Sequence, residues 1–195
     1  MAAFALWLSI VPVDCLELAV DAASLSRRGF LRGRVNASAA QRPPWAREEA
    51  DFTARCTRCN ACIDHYPTHI LVRADGGYPA VDFSRGECTF CGECLSRCEP
   101  RALFRTDDDA APWSLRARIG DACLAAQGVE CRICGEACPT GAIRFRPRLG
   151  GVALPALEID ACNGCGACFG PCPVRSIAIA PMDPRETSAL TEVKQ

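Results

Sequence analysis

The sequence lacks most of the side chains and motifs on which soluble enzymes depend. Its 195 residues include only two histidines, and no Ser-His-Asp constellation is recognisable among them. No glycine-rich loop of the kinds that hold a nucleotide, a flavin or a nicotinamide is present. We therefore expect that the protein is not an enzyme and that it has no small-molecule substrate.

Long apolar runs and an excess of charge of one sign are also missing. The formal net charge is −1, which indicates neither nucleic acid nor an anionic membrane as a partner. The apolar run at residues 2–13 is shorter than the roughly 20 residues that a membrane-spanning helix needs. No basic residue precedes this run, as one would in a signal peptide. We expect no stable membrane insertion, and we interpret residues 1–25 as an N-terminal extension, disordered or from a misassigned start.

A basic segment follows this extension. Residues 26–47 carry six arginines and no acid, and we interpret residues 26–52 as a basic arm, either solvated or used to dock a partner. Its Ser-Arg-Arg-Gly-Phe-Leu-Arg start resembles a twin-arginine export box, but polar residues 33–38 follow where such a signal requires an apolar stretch. We expect a cytoplasmic protein, with three candidate partner-binding residues: Arg27, Arg28 and Arg32.

What the sequence has in abundance is cysteine, with 16 residues, far above ordinary globular usage. Cys15 lies apart and is interpreted as a bystander, whereas the others form four tight runs within residues 56–62, 88–98, 123–138 and 162–172. Disulfides do not recur with one fixed local period, and zinc sites use two pairs of ligands rather than triple runs. Runs of C-x2-C-x2-C-x3-C-P instead match the bacterial ferredoxin pattern for [4Fe–4S] clusters.

In that pattern three cysteines of a run bind one cluster and the fourth binds the other cluster of the pair. This rule predicts three complete sets of ligands: set 1 (Cys56, Cys59, Cys62 and Cys98), set 3 (Cys123, Cys131, Cys134 and Cys172) and set 4 (Cys162, Cys165, Cys168 and Cys138). Set 2 is incomplete, with Cys88, Cys91 and Cys94. The stretched loop of the third run, residues 124–130, is expected to be exposed.

Tyr66 stands where set 2 should find its fourth cysteine, with Pro67 in its usual place behind. Three alternatives remain open: a [3Fe–4S] or labile four-iron cluster, a substitute ligand, or Tyr66 itself as an oxygen ligand. The nearest substitutes are His65 and Asp64, with His69 farther along the chain. The expected cofactors are three [4Fe–4S] clusters and a fourth that is either [4Fe–4S] with a substitute ligand or [3Fe–4S].

The fold predicted from these patterns is α+β, with two tandem bacterial-ferredoxin-like units of short hairpins and short helices around pairs of clusters. Residues 70–82 and 142–159 each indicate a hairpin, and the fourth cysteine of each run is expected to open a short helix. The predicted boundaries are unit 1 at 53–105, a linker at 106–122, unit 2 at 123–182 and a tail at 183–195. Units of this size bury little core, so the protein without metal should be largely unfolded.

Other stretches of the chain resemble the ferredoxin-type NapF proteins of the periplasmic nitrate reductase system. The similar segments begin at Ser26 (SRRG), Arg42 (RPPW), Gly76 (GGYP), Ile119 (IGDACL) and Cys162 (CNGCGAC). The resemblance implies a cytoplasmic accessory protein that contacts the precursor form of the nitrate reductase catalytic subunit. It implies a role in the maturation of that subunit before export, by supply of electrons or of a cluster.

Two alternatives to this function follow from the cysteine runs alone. One is a general [4Fe–4S] electron carrier or an electron-transfer subunit of a respiratory oxidoreductase. The other is a mainly structural adaptor whose clusters hold the fold. An adaptor or an assembly factor should lose partner binding when Arg27, Arg28 and Arg32 are neutralised, whereas a soluble carrier should keep fast electron exchange without them.

Overall fold

The computed structural model describes residues 40–107 (the first half below) and 110–182 (the second half), which belong to one compact unit. The extension at 1–25, the tail at 183–195, Cys15 and the three candidate partner-binding arginines lie outside the described residues. The described part of the chain is a small mixed fold of short helices and strands, as predicted. The helices are α1 (Glu49–Arg55), α2 (Ala61–Asp64), α3 (Glu93–Ser96) and α4 (Ile133–Glu136), and the strands are β1 (Leu71–Arg73), β2 (Pro79–Val81), β3 (Leu115–Ile119), β4 (Ile143–Arg148), β5 (Gly151–Leu157) and β6 (Ile177–Pro181).

Each half contains the antiparallel hairpin that the sequence predicts. In the first half β1 pairs with β2 from Leu71 opposite Val81 to Arg73 opposite Pro79. A 3-10 turn at Asp75–Gly77 connects these strands. In the second half β4 pairs with β5, with a register irregularity between Arg146 and Arg148.

The second part of the predicted linker at 106–122 contains strand β3. This strand pairs with β6 over five residues, from Leu115 opposite Pro181 to Ile119 opposite Ile177. Leu115 and Ala117 point inward and are buried, so the alternation of the Leu-Arg-Ala-Arg-Ile segment is that of a half-buried strand. The counterpart in the first half is a single bridge between Ala46 and Leu103.

The described end of the predicted basic arm is packed into the fold rather than solvated. Pro43 and Pro44 are fully buried, and Trp45 is 8% exposed. Arg42 donates to both carboxylate oxygens of Glu49, at 2.6 and 2.9 Å, and lies over the ring of Phe52 at 5.0 Å. Helix α1 then follows inside the predicted arm. The apolar residues between the arginines, which the charge pattern does not reveal, explain this difference.

The short helices sit one cysteine earlier than predicted. Helices α2, α3 and α4 contain Cys62, Cys94 and Cys134, the third cysteine of each run, and in the second and third runs the helix ends two residues before the fourth cysteine. The fourth run has a turn in place of a helix at residues 167–171. None of the helices in the described ranges is long and apolar enough to cross a membrane.

Candidate metal centres

The cysteines of set 1 line one cavity in the first half, and those of set 3 line one cavity in the second half. Burial, and then the neighbouring Cys98, Cys56 and Cys59 thiolates, raise the pKa of Cys62 to about 12. Burial and the nearby Cys123 thiolate raise the pKa of Cys134 in the same way. The chain therefore brings each predicted set of four sulfurs together.

Set 4 is assembled from two separate segments, because Cys138 joins the run at 162–168. Burial, and then the thiolates of Cys165, Cys162 and Cys138, raise the pKa of Cys168 to about 12. Cys138 differs, because hydrogen bonds from the Thr140 hydroxyl and nearby backbone N–H groups outweigh burial and lower its pKa. Such bonds stabilise a thiolate.

Set 2 gathers Cys88, Cys91 and Cys94 around the side chain of Tyr66. The Tyr66 hydroxyl lies 3.0 Å from the Cys88 Sγ atom, and the tyrosine is 1% exposed. Burial, followed by the hydrogen bond with Cys88 and the charges of all three thiolates, raises the pKa of Tyr66. Tyr66 therefore faces the whole of set 2 with a neutral phenol.

The substitute ligands considered for set 2 are placed differently. Asp64, His65 and His69 are all exposed, whereas the set lies against the buried core of the first half. The side chain that enters the position of the missing cysteine is Tyr66 itself. The arrangement therefore does not favour a carboxylate or an imidazole as the fourth ligand.

The same backbone turn follows the fourth position of all four runs. In each turn the residue three positions later donates its N–H to the carbonyl oxygen of the fourth residue, at 3.0–3.2 Å, and has a positive φ of 49–63°. The pairs are His69 to Tyr66, Arg101 to Cys98, Gly141 to Cys138 and Arg175 to Cys172. Tyr66 thus stands on the same backbone as the three cysteines. Spacing alone predicts the position of this residue but not the shared turn.

Positive φ values also flank the second cysteine in three of the four runs. The paired residues before and after it are Arg58 and Asn60, Phe90 and Gly92, and Gly164 and Gly166. Side chains other than glycine rarely adopt this conformation, so it marks a loop whose shape is held by its surroundings. These loops fold their backbone around the sulfur sets.

Three cysteine sulfurs accept hydrogen bonds from backbone N–H groups in or next to the Ala46–Leu103 bridge and the β3–β6 pairing. Leu103 N–H donates to Cys98 at 3.3 Å, Ala117 N–H to Cys162 at 3.5 Å, and Ser176 N–H to Cys172 at 3.3 Å. Hydrogen bonds to cluster sulfurs are one of the means by which a protein sets the reduction potential of a cluster.

The four sets lie in a row through the molecule, in the order 1, 2, 4, 3. Cys62 of set 1 and Cys94 of set 2 are close enough for the charge of one to raise the pKa of the other. Cys88 of set 2 donates its N–H to the carbonyl oxygen of Cys165 of set 4, at 2.8 Å. Sets 4 and 3 pack against one core.

Three aromatic side chains, which we call the aromatic junction, lie beside the contact between sets 2 and 4, and the cysteine spacing does not predict them. Phe83 and Phe90 each pack edge-on against Trp113, with ring centroids 5.9 and 5.6 Å apart. Trp113 donates its indole N–H to the carbonyl oxygen of Asn163 at 2.9 Å. These rings lie in loops beside the cysteine runs, where periodicity carries no information about partners.

The donor chemistry of these sites fits iron–sulfur clusters. The cysteines in the described ranges form no disulfides, and no three His, Cys, Asp or Glu side chains in those ranges converge on the position of a single metal ion. Thiolates that surround a cavity, with pKa values raised by burial and mutual repulsion, need positive charge at its centre to ionise together. A cluster of several irons supplies that charge over a wider space than one zinc ion.

These features define an iron–sulfur protein of the ferredoxin type, and residues 129–177 match the 4Fe-4S dicluster domain family. The chain is 50% identical over 153 residues to the ferredoxin-type protein NapF of Escherichia coli K12, covering 78% of this chain and 92% of that protein. It is 42% identical over 167 residues to NapF of Haemophilus influenzae, with 80% and 94% covered. The chain belongs to the NapF family.

A more distant relative is named for a different system. The methylamine utilization ferredoxin-type protein MauM of Methylobacillus flagellatus is 32% identical over 180 residues, which are 84% of this chain and 76% of that protein.

Proposed function

We propose that this protein is a cytoplasmic accessory protein that contacts the catalytic subunit of periplasmic nitrate reductase and assists its maturation before export. The observation that carries the proposal is the continuous row of four sulfur sets in a chain of the NapF family. In the proposal two ferredoxin-like units, one in each half, hold these sets. Bound clusters would supply one-electron transfer, and the same clusters could be passed on during assembly of the partner.

The row gives the proposed electron path two ends. At one end Cys59 of set 1 is exposed. At the other end, beside set 3, Val129, Ile133 and Val174 are 51, 40 and 39% exposed. Between them Phe83, Phe90 and Trp113 pack beside the contact of sets 2 and 4, and Cys91 of set 2 is exposed as well. This arrangement supports entry of electrons at one end and delivery at the other.

A reducing compartment suits these cysteines. The cysteines in the described ranges are unpaired, and such thiols persist as metal ligands in the cytoplasm, where disulfides are rare. This supports a meeting with the catalytic subunit before that subunit is exported.

The test is to purify the tagged protein without oxygen from its own cells and to identify what accompanies it. We expect the nitrate reductase catalytic subunit, still carrying its export signal. Replacement of Arg27, Arg28 and Arg32 by glutamine should reduce its recovery at least tenfold if the basic arm docks the partner.

A matched control removes the same charge elsewhere. Arg144, Arg146 and Arg148 alternate along β4 and are exposed, so their replacement by glutamine should leave recovery unchanged. Recovery of only the mature subunit, or of a dehydrogenase in its place, would contradict the maturation role.

A second candidate function is general electron transfer to an oxidoreductase. The similarity to MauM, a protein named for methylamine utilization, favours it. In that case it should not matter which three arginines are replaced. Both triple variants, once reduced, should pass electrons to soluble acceptors at equal rates.

A further inference from the structure

Tyr66 holds the place of a ligand in its backbone as well as in the sequence. Its carbonyl accepts the N–H of His69 at 3.2 Å, in the turn that also follows Cys98, Cys138 and Cys172. From this position its side chain runs into the buried core and ends beside set 2.

There Tyr66 contacts a cysteine sulfur and not the position of the iron that lacks a protein ligand. Its Oη atom lies 3.0 Å from the Cys88 Sγ atom. The outer ligands of a cubane bind different irons at separate corners, so two of them do not touch each other. An oxygen within hydrogen-bond distance of a ligand sulfur is therefore placed as a donor to that sulfur.

No other described side chain near this turn offers a replacement. Asp64, the last residue of α2, and His65, which follows it, are both exposed. Set 2 is thus left with the thiolates of Cys88, Cys91 and Cys94.

We propose that set 2 holds its cluster through three thiolates, and that Tyr66 is a positioning residue whose hydroxyl donates a hydrogen bond to the Cys88 sulfur and raises the reduction potential of that cluster. This inference rests on the proposed iron–sulfur function and deepens it. A corner without a protein ligand favours a [3Fe–4S] cluster.

The redox step that follows is simple. When a bound cluster takes up one electron from the reductant, the negative charge on its sulfurs would increase, and the Tyr66 O–H donor would stabilise the reduced form. The proton stays on Oη and no covalent bond breaks. Because set 2 touches set 4, the bond would make set 2 a better electron acceptor in the middle of the row.

The test compares Tyr66→Phe and Tyr66→Cys in purified, fully loaded protein by iron analysis, electron paramagnetic resonance and a dithionite titration with mediators. Native protein should show the paramagnetic signal of an oxidised three-iron cluster. Tyr66→Phe should keep this signal and its iron. Its reduced-to-oxidised ratio at a fixed potential should fall about tenfold, which is a shift of the reduction potential by 59 mV in the negative direction for one electron. Tyr66→Cys should lose the signal and gain about one iron.

Tyr78→Phe is the matched control, because Tyr78 is the second of the two tyrosines and donates its hydroxyl to the carbonyl oxygen of Thr53 at 3.3 Å. It should change neither signal nor potential. Loss of the set 2 cluster in Tyr66→Phe would make Tyr66 a ligand, and an unchanged potential would exclude the donor role.

Either result overturns the inference, as would a native protein with no three-iron signal and no effect of Tyr66→Cys. These readouts need no nitrate reductase. They can fail while the proposed maturation role stands, and the role can fail while they succeed.

Discussion

The buried cores of the two halves of the molecule differ in their side chains. The core of the first half contains large apolar side chains, with Phe52 and Ile70 at 0% and Tyr66 at 1% exposure. The core of the second half contains no buried aromatic ring in the described residues, and Phe145 packs against it only partly buried. Its members are Ala117, Ala142, Ile143, Cys162, Cys168 and Ile177. Burial of apolar area stabilises a fold at roughly 25 cal/mol per Å², so we expect the first half to depend less on its metal.

Strand pairing, in contrast, is more extensive in the second half. The outer pairing of the second half extends over five residues, between β3 and β6, whereas the first half has one bridge between Ala46 and Leu103. Backbone pairing without a large core is rarely stable alone. Replacement of a ligand by Tyr66 in the first half therefore coincides with a richer core, and the complete sets 3 and 4 coincide with a poorer one.

Removal of iron should reveal the difference in stability between the two halves, and it is the prediction with the largest expected effect. After anaerobic chelation, amides of β3 and β6 should lose their protection from hydrogen exchange, because metal binding and folding are coupled. Amides around Phe52 and Ile70 should keep at least about tenfold more residual protection, equivalent to about 1.4 kcal/mol. Hydrogen exchange with mass spectrometry of peptides from each half measures both.

The holo protein under the same conditions is the reference for each peptide. Equal loss of protection in both halves would mean that the apolar core of the first half does not stand without its clusters. The comparison of interiors would then carry no information on stability.

A pair of glycines sharpens the comparison at the aromatic junction. Gly92 and Gly166 both follow the second cysteine of their runs and have φ of 78° and 84°. A Cβ at Gly166 would clash with the ring of Phe83, whereas a Cβ at Gly92 would meet no atom within 4 Å apart from its chain neighbours. Gly92→Ala should cost about 1 kcal/mol from backbone strain, and Gly166→Ala a further 1–3 kcal/mol, roughly, from overpacking.

The thermal unfolding midpoint at one fixed scan rate measures this difference, because loss of clusters makes unfolding irreversible. Gly92→Ala serves as the control for the shared backbone strain. Equal midpoints for the two variants would show that Phe83 moves aside freely and that the junction is not tightly packed.

Ligand chemistry and hairpins could be predicted from the sequence because both depend on local spacing. The C-x2-C-x2-C runs indicate which sulfurs share a site, and the glycine-rich turn after residue 73 indicates where β1 and β2 reverse. The vacancy at Tyr66 is visible for the same reason, since a single position departs from a repeated pattern.

Long-range packing is the part that spacing does not contain. Spacing does not predict strand β3, which lies inside the predicted linker, because its partner β6 lies about 60 residues later. The contacts of Trp113 with Phe83 and Phe90 join segments that no periodicity relates. The hydrogen bond of Tyr66 to Cys88 likewise depends on the turn geometry of a buried loop.

The smallest effect is expected from surface ion pairs, which also differ between the halves. Glu49 accepts two bonds from Arg42, whose side chain is only 17% exposed. In the second half Glu158 lies 3.5 Å from an Arg144 side chain that is 70% exposed. Glu49→Gln should lower stability by roughly 1 kcal/mol and Glu158→Gln by about 0–0.5 kcal/mol.

The bond with Arg42 lowers the pKa of Glu49 despite the opposing effect of burial. Its stabilisation is therefore present above the pKa of the unfolded chain and is lost as the pH falls through the lower, folded value. Between about pH 6 and 8 the midpoint difference between native protein and Glu49→Gln should stay constant. Thermal scans at three pH values in this range measure it, with Glu158→Gln as the control. A difference that grows or disappears within the range would mean that another titrating group, and not this ion pair, accounts for the stability at the start of α1.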